Sequence, residues 1–400
     1  MKTHNLRSSA FIRVRKIFLF FSLLLSIFLI SCTKSPSAKI PSLPNLTHKR
    51  TILGEYAKEF RIDEYAAGSS DSLNAREEPY KLITVSDSDR YLLVPENAPV
   101  PENLPSDVKT IRLPLKNVYL AATSTMAFFA RLDSLDSLGF SSIQKKDWYI
   151  EEAVRAMENG SIQYAGKYSA PDFELLIDKK CPLAIESMMI SHSPQIKEKL
   201  ELLGITVFVD KSSYEEHPLG RLEWIKVYGL LTGKFTEAEQ FFDEQTHLLA
   251  VDCFDRKEGG NDNPVIAFFY TTPSGMAVIR GSDDYIVKMI EMAGGTYAFP
   301  STKKAKSPSI QISMEQFYAH CADADILIYN SSIDNTIRSR EDLIQKNPLF
   351  AECKAVENDE VWATGSYIYQ ATDRISDVIL DLQKIIEGRG EEVQFLQKVE

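Results

Sequence analysis

The chain has 400 residues, 44% of them apolar and 25% charged, with a formal net charge of −11 at pH 7. That is enough apolar material for two medium domains with ample core, and too acidic a balance for nucleic acid or an anionic membrane surface as partner. The five cysteines show no CxxC or other metal spacing and are too few for a disulfide framework in so long a chain.

From the start, Lys2, Arg7, Arg13, Arg15 and Lys16 form a basic region ahead of Ile17–Ile30, an uncharged apolar run. About 14 residues are too few to span a bilayer comfortably, so this run is expected to be the hydrophobic part of a signal. It ends in Leu29-Ile30-Ser31-Cys32, which resembles a bacterial lipoprotein box; a plain signal peptide or an uncleaved anchor is the alternative. Cleavage before Cys32 would leave its thiol to carry a diacylglycerol, placing the protein outside the cytoplasm and tied to a membrane by lipid. Losing residues 1–31 removes five basic and no acidic residues, which takes the net charge from −11 to −16. Residues 32–50, rich in Pro and Ser without apolar periodicity, are expected to be a tether.

Residues 51–107 form an extension before the regular part of the chain. Its first part, 51–79, is polar and reads as at most one short helix near Leu53–Phe60. Tyr80–Val85 and Tyr91–Val94 alternate like strands around Ser86-Asp87-Ser88-Asp89, which predicts a hairpin. After the Pro-rich connection Pro95–Pro105, residues 108–235 alternate strands with helices. Strands are expected at Val108–Leu113, Val118–Ala122, Pro182–Ile185 and Ile205–Val209. Helices are expected at Thr123–Leu135, Asp147–Asn159, Asp172–Lys179, Ser193–Leu203 and Pro218–Leu231. Cys181 and Cys321 each precede a strand and read as small buried hydrophobes.

Residues 236–257 hold the stretch around which both halves are arranged. In Thr236–Arg256 the apolar residues Ala238, Phe241, Phe242, Leu248, Leu249 and Cys253 recur at helical spacing, and Thr236 with Glu239 reads as a capping box. A helix of about 20 residues runs about 30 Å, the width of a small domain. Residues 258–400 then repeat the alternation: strands at Val265–Tyr270, Asp325–Tyr329 and Glu360–Ala363, helices at Tyr285–Ala293, Ser313–Cys321 and Asp373–Ile386. Strands alternating with helices through short connections predict α/β layering on mostly parallel sheets.

Four stretches, Ser169–Ile185, His217–Gly233, Gly281–Gly295 and Ser313–Tyr329, resemble the solute-binding proteins that feed ABC importers of ferric siderophores, haem and vitamin B12. The resemblance covers roughly residues 108–386 and implies an α/β fold of two Rossmann-like lobes joined by a single long helix, the class III periplasmic-binding-protein fold. It further implies a monomer that meets a permease dimer with its ATPase subunits. In that family one glutamate per lobe meets arginines of the permease, and Glu174 and Glu315 occupy the matching places. Glu is also favoured in the first turn of a helix by the helix dipole alone.

The resemblance places the ligand in the cleft between lobes, at loops following the C-terminal ends of strands. The candidates are Trp148, Tyr149, Tyr168, Ser187 and Met188 in the first lobe. In the second they are Arg280, Tyr285, Asn330, Ser331, Tyr367, Tyr369 and Arg374. Aromatic rings would cover a flat macrocycle and arginines would meet carboxylates.

Catalysis has little support: G-x-S-x-G, a P-loop and H-E-x-x-H are all missing. A zinc or manganese receptor would need several His and carboxylates converging, and of six His one falls in the signal segment (His4) and one in the tether (His48). No cofactor is expected. The other readings are a lipid-anchored surface hydrolase and an adhesin or assembly factor. The sequence does not choose among siderophore, haem and cobalamin.

Overall fold

Strand pairing starts earlier in the chain than expected. In the computed structural model, which describes residues 40–67, 79–253, 263–299 and 309–400, β1 (Leu46–Leu53), β2 (Phe60–Ala67), β3 (Tyr80–Val85), β4 (Asp89–Val94) and β5 (Val108–Arg112) form one sheet in that order. Residues 1–42 and 43–400 are separate compact units, and the description below concerns the second. The signal segment 1–31, Cys32 and the tether up to residue 39 lie outside the described residues.

Side-chain alternation splits this sheet between two cores. Phe60, Ile62, Ile83, Val85, Tyr91 and Leu93 face the main core, while Tyr65, Tyr80, Leu82, Leu92, Val94 and Val108 form an outer cluster with Leu43. The β3–β4 hairpin turns through Ser86 and Asp87, both left-handed with φ of 47° and 61°, the geometry that suits the twist of paired strands.

Three expectations are corrected here. Leu46–Arg50, assigned to the tether, belong to β1. Val108–Arg112, assigned to the first lobe, pairs parallel with β4 instead, because the Pro-rich connection is long enough to carry the chain back across the sheet. The short helix near Leu53–Phe60 does not form. Glu55 N–H donates to Glu223 Oε1 and the N–H groups of Tyr56 and Ala57 to its Oε2, each at 2.9 Å. Lys58 and Glu59 N–H donate to Glu215 at 2.9–3.0 Å. Five successive amides thus find buried carboxylates, where a helix would leave its first N–H groups without partners.

The first lobe is a parallel sheet ordered β12-β11-β6-β7-β8. Its strands are β6 (Val118–Leu120), β7 (Leu138–Ser141), β8 (Gln163–Tyr164), β11 (Leu183–Ser187) and β12 (Thr206–Asp210); a small hairpin of β9 (Gly166–Lys167) and β10 (Ala170–Pro171) stands apart. Its helices are α1 (Met126–Arg131), α2 (Glu151–Glu158), α3 (Phe173–Asp178), α4 (Pro194–Leu202), α5 (Pro218–Glu223) and α6 (Ile225–Thr232). The extension covers the open edge of β12: Thr206 Oγ1 donates to Thr110 O at 3.4 Å, and Val209 N–H donates to the Tyr91 hydroxyl at 3.2 Å. An uncovered edge strand would invite pairing with another chain.

The connecting helix is α7 (Phe235–Cys253). It begins one residue before Thr236, since Ala238 N–H already donates to Lys234 O at 3.0 Å. Thr236 is therefore inside the helix and does not cap it, and the residues past Cys253 lie outside the described part. Ala238, Phe242 and Leu249 are buried, Phe241 and Leu248 half-buried, as the spacing requires.

The second lobe orders its strands β16-β14-β13-β17-β18-β19, with β15 beside β13. These are β13 (Val265–Thr271), β14 (Ala277–Arg280), β15 (Thr296–Tyr297), β16 (Ser309–Ile312), β17 (Ile326–Tyr329), β18 (Val361–Thr364) and β19 (Leu396–Lys398). The centre is parallel; β14, β16 and β19 add antiparallel flanks. Helices α8 (Tyr285–Met292), α9 (Met314–Cys321), α10 (Arg340–Lys346), α11 (Lys354–Glu357) and α12 (Ile375–Ile386) complete it. Strands β7, β14, β16 and β19 carry too few residues for alternation to be read. Gly139 in β7 is also required sterically, as a Cβ there would sit 2.9 Å from Asn117 Cα. Among the described residues no helix is long and apolar enough to cross a membrane.

Candidate ligand cleft between the lobes

Loops at the C-terminal ends of both parallel sheets face one another. From the first lobe come Ser124 after β6, Tyr149–Glu152 after β7, and Ser212 and Ser213 after β12; from the second comes Tyr367–Arg374 after β18. Between them lies a cleft of about 540 Å³ bordered by Arg131, Tyr149, Tyr367, Asp373, Arg374 and Phe395. A smaller inner pocket of about 130 Å³ is bordered by Ser124, Ser213, Arg221, Tyr285, Tyr369 and Thr372. The two meet at Ala371, which borders both.

Side chains tie the lobes across this cleft. Arg131 of α1 grips one oxygen of Asp373, Nε at 3.0 Å and Nη2 at 2.7 Å, and lies over the ring of Phe241 on the connecting helix at 4.9 Å. Burial pushes the Asp373 carboxyl above its ordinary value, and the charge of Arg131 works against that rise. Gln370 accepts from Tyr149 N–H at 2.8 Å and donates to Asp147 O at 2.9 Å. Tyr149 and Tyr367 face each other from opposite lobes with ring centroids 6.3 Å apart. Tyr149 is 53% exposed, so a ring of this pair is available to a ligand.

The inner end is polar. Arg221 stacks on Tyr285, guanidinium carbon 3.4 Å from the ring centroid. It donates to Glu215 O at 3.0 Å and to Ser213 O. The Tyr369 hydroxyl accepts from Arg280, and from Asn330 Nδ2 at 2.9 Å. Arg280 also lies 3.8 Å from Asp284, whose carboxyl burial pushes up against the pull of that arginine.

The sequence candidates fall into three groups. Arg280, Tyr285, Asn330 and Tyr369 are brought together at the inner end, and Tyr149, Tyr367 and Arg374 line the outer cleft. The others stand elsewhere. Trp148 is buried, its indole N–H donating to Ser141 Oγ at 3.2 Å. Tyr168 packs on the apolar cluster around Leu176 and Leu200. Ser187 caps the turn Met188–His192, Met188 borders a shallow depression against the extension, and Ser331 is buried with its hydroxyl unpaired among the described residues.

Arg131, Arg221, Gln370 and Asp373 were not singled out from the sequence. Arg221 lies within one of the quoted stretches, His217–Gly233. Its place in the first turns after Pro218 was the available signal, but helical position alone does not say which side faces the cleft. Among the described residues no group of three or more His, Cys, Asp or Glu is placed to hold a metal ion. His217 instead caps α5, its Nδ1 accepting from Leu219 N–H at 3.1 Å, and burial holds its pKa down.

Two lobes on parallel sheets, one long helix between them and a cleft at the strands' C-terminal ends define the class III periplasmic-binding-protein fold. Residues 130–368, more than half of the chain, match the periplasmic binding protein family, and the chain belongs to it. That family consists of solute-binding proteins, not enzymes, and works with an ABC-transporter permease and ATPase.

An uncharacterized lipoprotein of Methanocaldococcus jannaschii is 25% identical over 366 residues, 87% of this chain and 86% of its own. Among solved structures, a periplasmic binding protein from Veillonella parvula has a TM-score of 0.56 at 16% identity, covering 69% of this chain and 93% of its own. The periplasmic haem-binding protein of Vibrio cholerae has a TM-score of 0.54 at 15% identity, covering 68% and 98%. The periplasmic vitamin B12-binding protein of that organism has 0.50 at 17%, covering 70% and 99%. At such identities the likeness is one of fold.

Proposed function

We propose that the protein is a lipid-anchored receptor of an ABC importer that captures an iron complex (siderophore or haem) or cobalamin between its lobes. The single observation that carries this reading is the cleft itself. It has the size of a small-molecule site, lies where α/β sheets bind ligands, and carries facing tyrosines from opposite lobes with charged groups around them. The structural neighbours that bind haem and vitamin B12 support the ligand class.

Docking is assigned to Glu174 and Glu315. Each is exposed in the first turn of its helix, α3 and α9. Asp172, the cap of α3, hangs from the C-terminal end of β7 through Ala165: Ala165 N–H donates to Ser141 O at 3.0 Å and Asp172 N–H to Ala165 O at 2.8 Å. Ser313, the cap of α9, follows Ile312, which pairs with Ala277 and through it with Thr271 at the end of β13. Both glutamates thus lie on the side of their sheets where the parallel strands end, one charge on each lobe, an arrangement suited to orienting a basic partner. Glu315 is held below the usual carboxylate range by its own backbone N–H and by the Ser313 hydroxyl, so it is anionic when it meets a permease.

Titrating the protein without residues 1–31 with haemin, cobalamin and ferric siderophores, followed by quenching of intrinsic fluorescence, tests the ligand class. Saturable binding of one of them is expected; binding of none would sink it.

A further inference from the structure

We propose that the outer end of the first lobe, around Ile177, Leu202 and Leu203, rests on the membrane that holds the lipid of Cys32. This rests on the lipid-anchored receptor reading above and deepens it: the attachment also selects which end of the molecule faces the bilayer.

Helix ends make the patch. α3 and α4 run back along the sheet and stop where a strand begins: Cys181 N–H donates to Leu176 O at 2.8 Å ahead of β11, and Ile205 N–H to Leu200 O at 3.0 Å ahead of β12. The two turns are neighbours, since Thr206 N–H donates to Pro182 O at 3.1 Å. Leu176 and Leu200 are buried in one cluster, whereas Ile177, Leu202 and Leu203 are left exposed. Leu202, at 87%, is the most exposed large apolar side chain among the described residues. Single exposed apolar residues are ordinary, but several gathered at one end mark a contact surface.

Charge narrows the kind of surface. Lys179 and Lys180 stand beside these residues, Lys179 pairing with Asp178 at 3.0 Å, and Glu201 pairs with Lys109. Signs so balanced suit zwitterionic headgroups and give no pull toward an anionic surface. The lysine stems lie along apolar neighbours and carry their charge outward to phosphates.

The chain enters at this same end. Successive pairings across the extension, Leu46 with Ala67, Tyr65 with Tyr80, Lys81 with Leu93 and Val94 with Arg112, put the start of β1 level with the end of β5. From Arg112 the chain reaches the start of β6 at Val118 within a few residues, and Lys109 of β5 meets Glu201 of α4 directly. Leu43 is buried in the outer cluster of that sheet, so the free tether ends there. From Cys32 to Leu43 is eleven residues, at most about 40 Å of extended chain. The lipid thus keeps this end near the bilayer, where three aliphatic side chains orient the protein without having to anchor it. The cleft lies at the opposite ends of the same strands, so this pose holds it clear of the membrane. Docking through Glu174 and Glu315, one on each lobe, then requires the molecule to tip over.

The test uses the full lipoprotein in phosphatidylcholine vesicles, with Cys253→Ser to leave that position unlabelled; Cys181, Cys321 and Cys353 are buried. Bimane is attached through Leu202→Cys or, as a reference on the second lobe, through Ile333→Cys, which is exposed after β17. A nitroxide on the lipid acyl chain should quench the label at position 202 at least about twofold more than at position 333. Adding Lys180→Glu with Leu203→Asp should abolish the excess while the protein, folded by circular dichroism, still floats with the vesicles. Equal quenching at both positions, or an excess that survives those changes, overturns the pose alone. Protein that does not float overturns the lipid anchor and the pose with it. A dimer of the chain without residues 1–31, dissociated by Leu202→Asp in sedimentation, assigns the patch to a second copy and overturns the pose.

Discussion

Glu186 is fully buried at the end of β11, and neither carboxylate oxygen has a hydrogen-bond partner among the described residues. Burial pushes its pKa from 4.5 up to about 8. The folded protein thus keeps a proton that the unfolded chain gives up above 4.5, and stability falls as pH rises until the folded group ionises near 8. The loss is on the order of 5 kcal/mol over that window. Thermal unfolding measured from pH 4.5 to 8 should show this decline, and Glu186→Gln should remove most of it. Asp210, which burial raises from 3.8 to about 6, acts with the same sign below pH 6, as do Asp284 and Asp373, while His217, whose pKa burial holds down, acts with the opposite sign. An equal slope in wild type and Glu186→Gln would refute the assignment. Residues of this kind were illegible in the sequence. Glu186 follows Leu183-Ala184-Ile185 in a buried strand, yet a Glu at a strand end is ordinarily placed at the surface. Tyr285, Tyr367 and Tyr369 were legible because loops after strands are where α/β proteins bind ligands; Trp148 fitted that pattern and turned inward.

At the scale of elements, the hairpin β3–β4 could be read because alternation and turn residues are local, and the helices of both lobes because their spacing and caps are. The strands β1 and β2 could not. Thr47-His48-Lys49-Arg50-Thr51 is polar throughout, and the loop between the two strands is held by Glu215 and Glu223, far along the chain. Glu223 is fully buried, receives three backbone amides and pairs with Lys226 at 2.9 Å. Glu223→Ala leaves those amides and that lysine without their acceptor and should cost about 3–5 kcal/mol. Denaturant unfolding gives the magnitude, and amide exchange at residues 55–57 should quicken more than elsewhere. Unchanged protection there would show that the carboxylate does not hold the loop.

At the scale of the whole molecule, two lobes share one rigid connector, α7, and are bridged across the cleft by Arg131–Asp373 and by Gln370. A single helix permits small lobe movements, unlike a hinge of several strands. X-ray scattering should therefore show little change on ligand binding, and large closure would contradict it. On the proposed function, occupancy would be signalled locally and docking would rest on the fixed charges of Glu174 and Glu315. Glu174→Ala with Glu315→Ala should impair uptake in cells while leaving ligand affinity unchanged; an equal fall in affinity would place these residues in the cleft. The most direct test of the central claim, that the cleft between the lobes holds the ligand, is the affinity of the tightest-binding chelate for wild type and for Tyr149→Ala with Tyr367→Ala. Loss of both facing rings should weaken binding by about tenfold or more; unchanged affinity in a folded variant would mean that the ligand binds elsewhere.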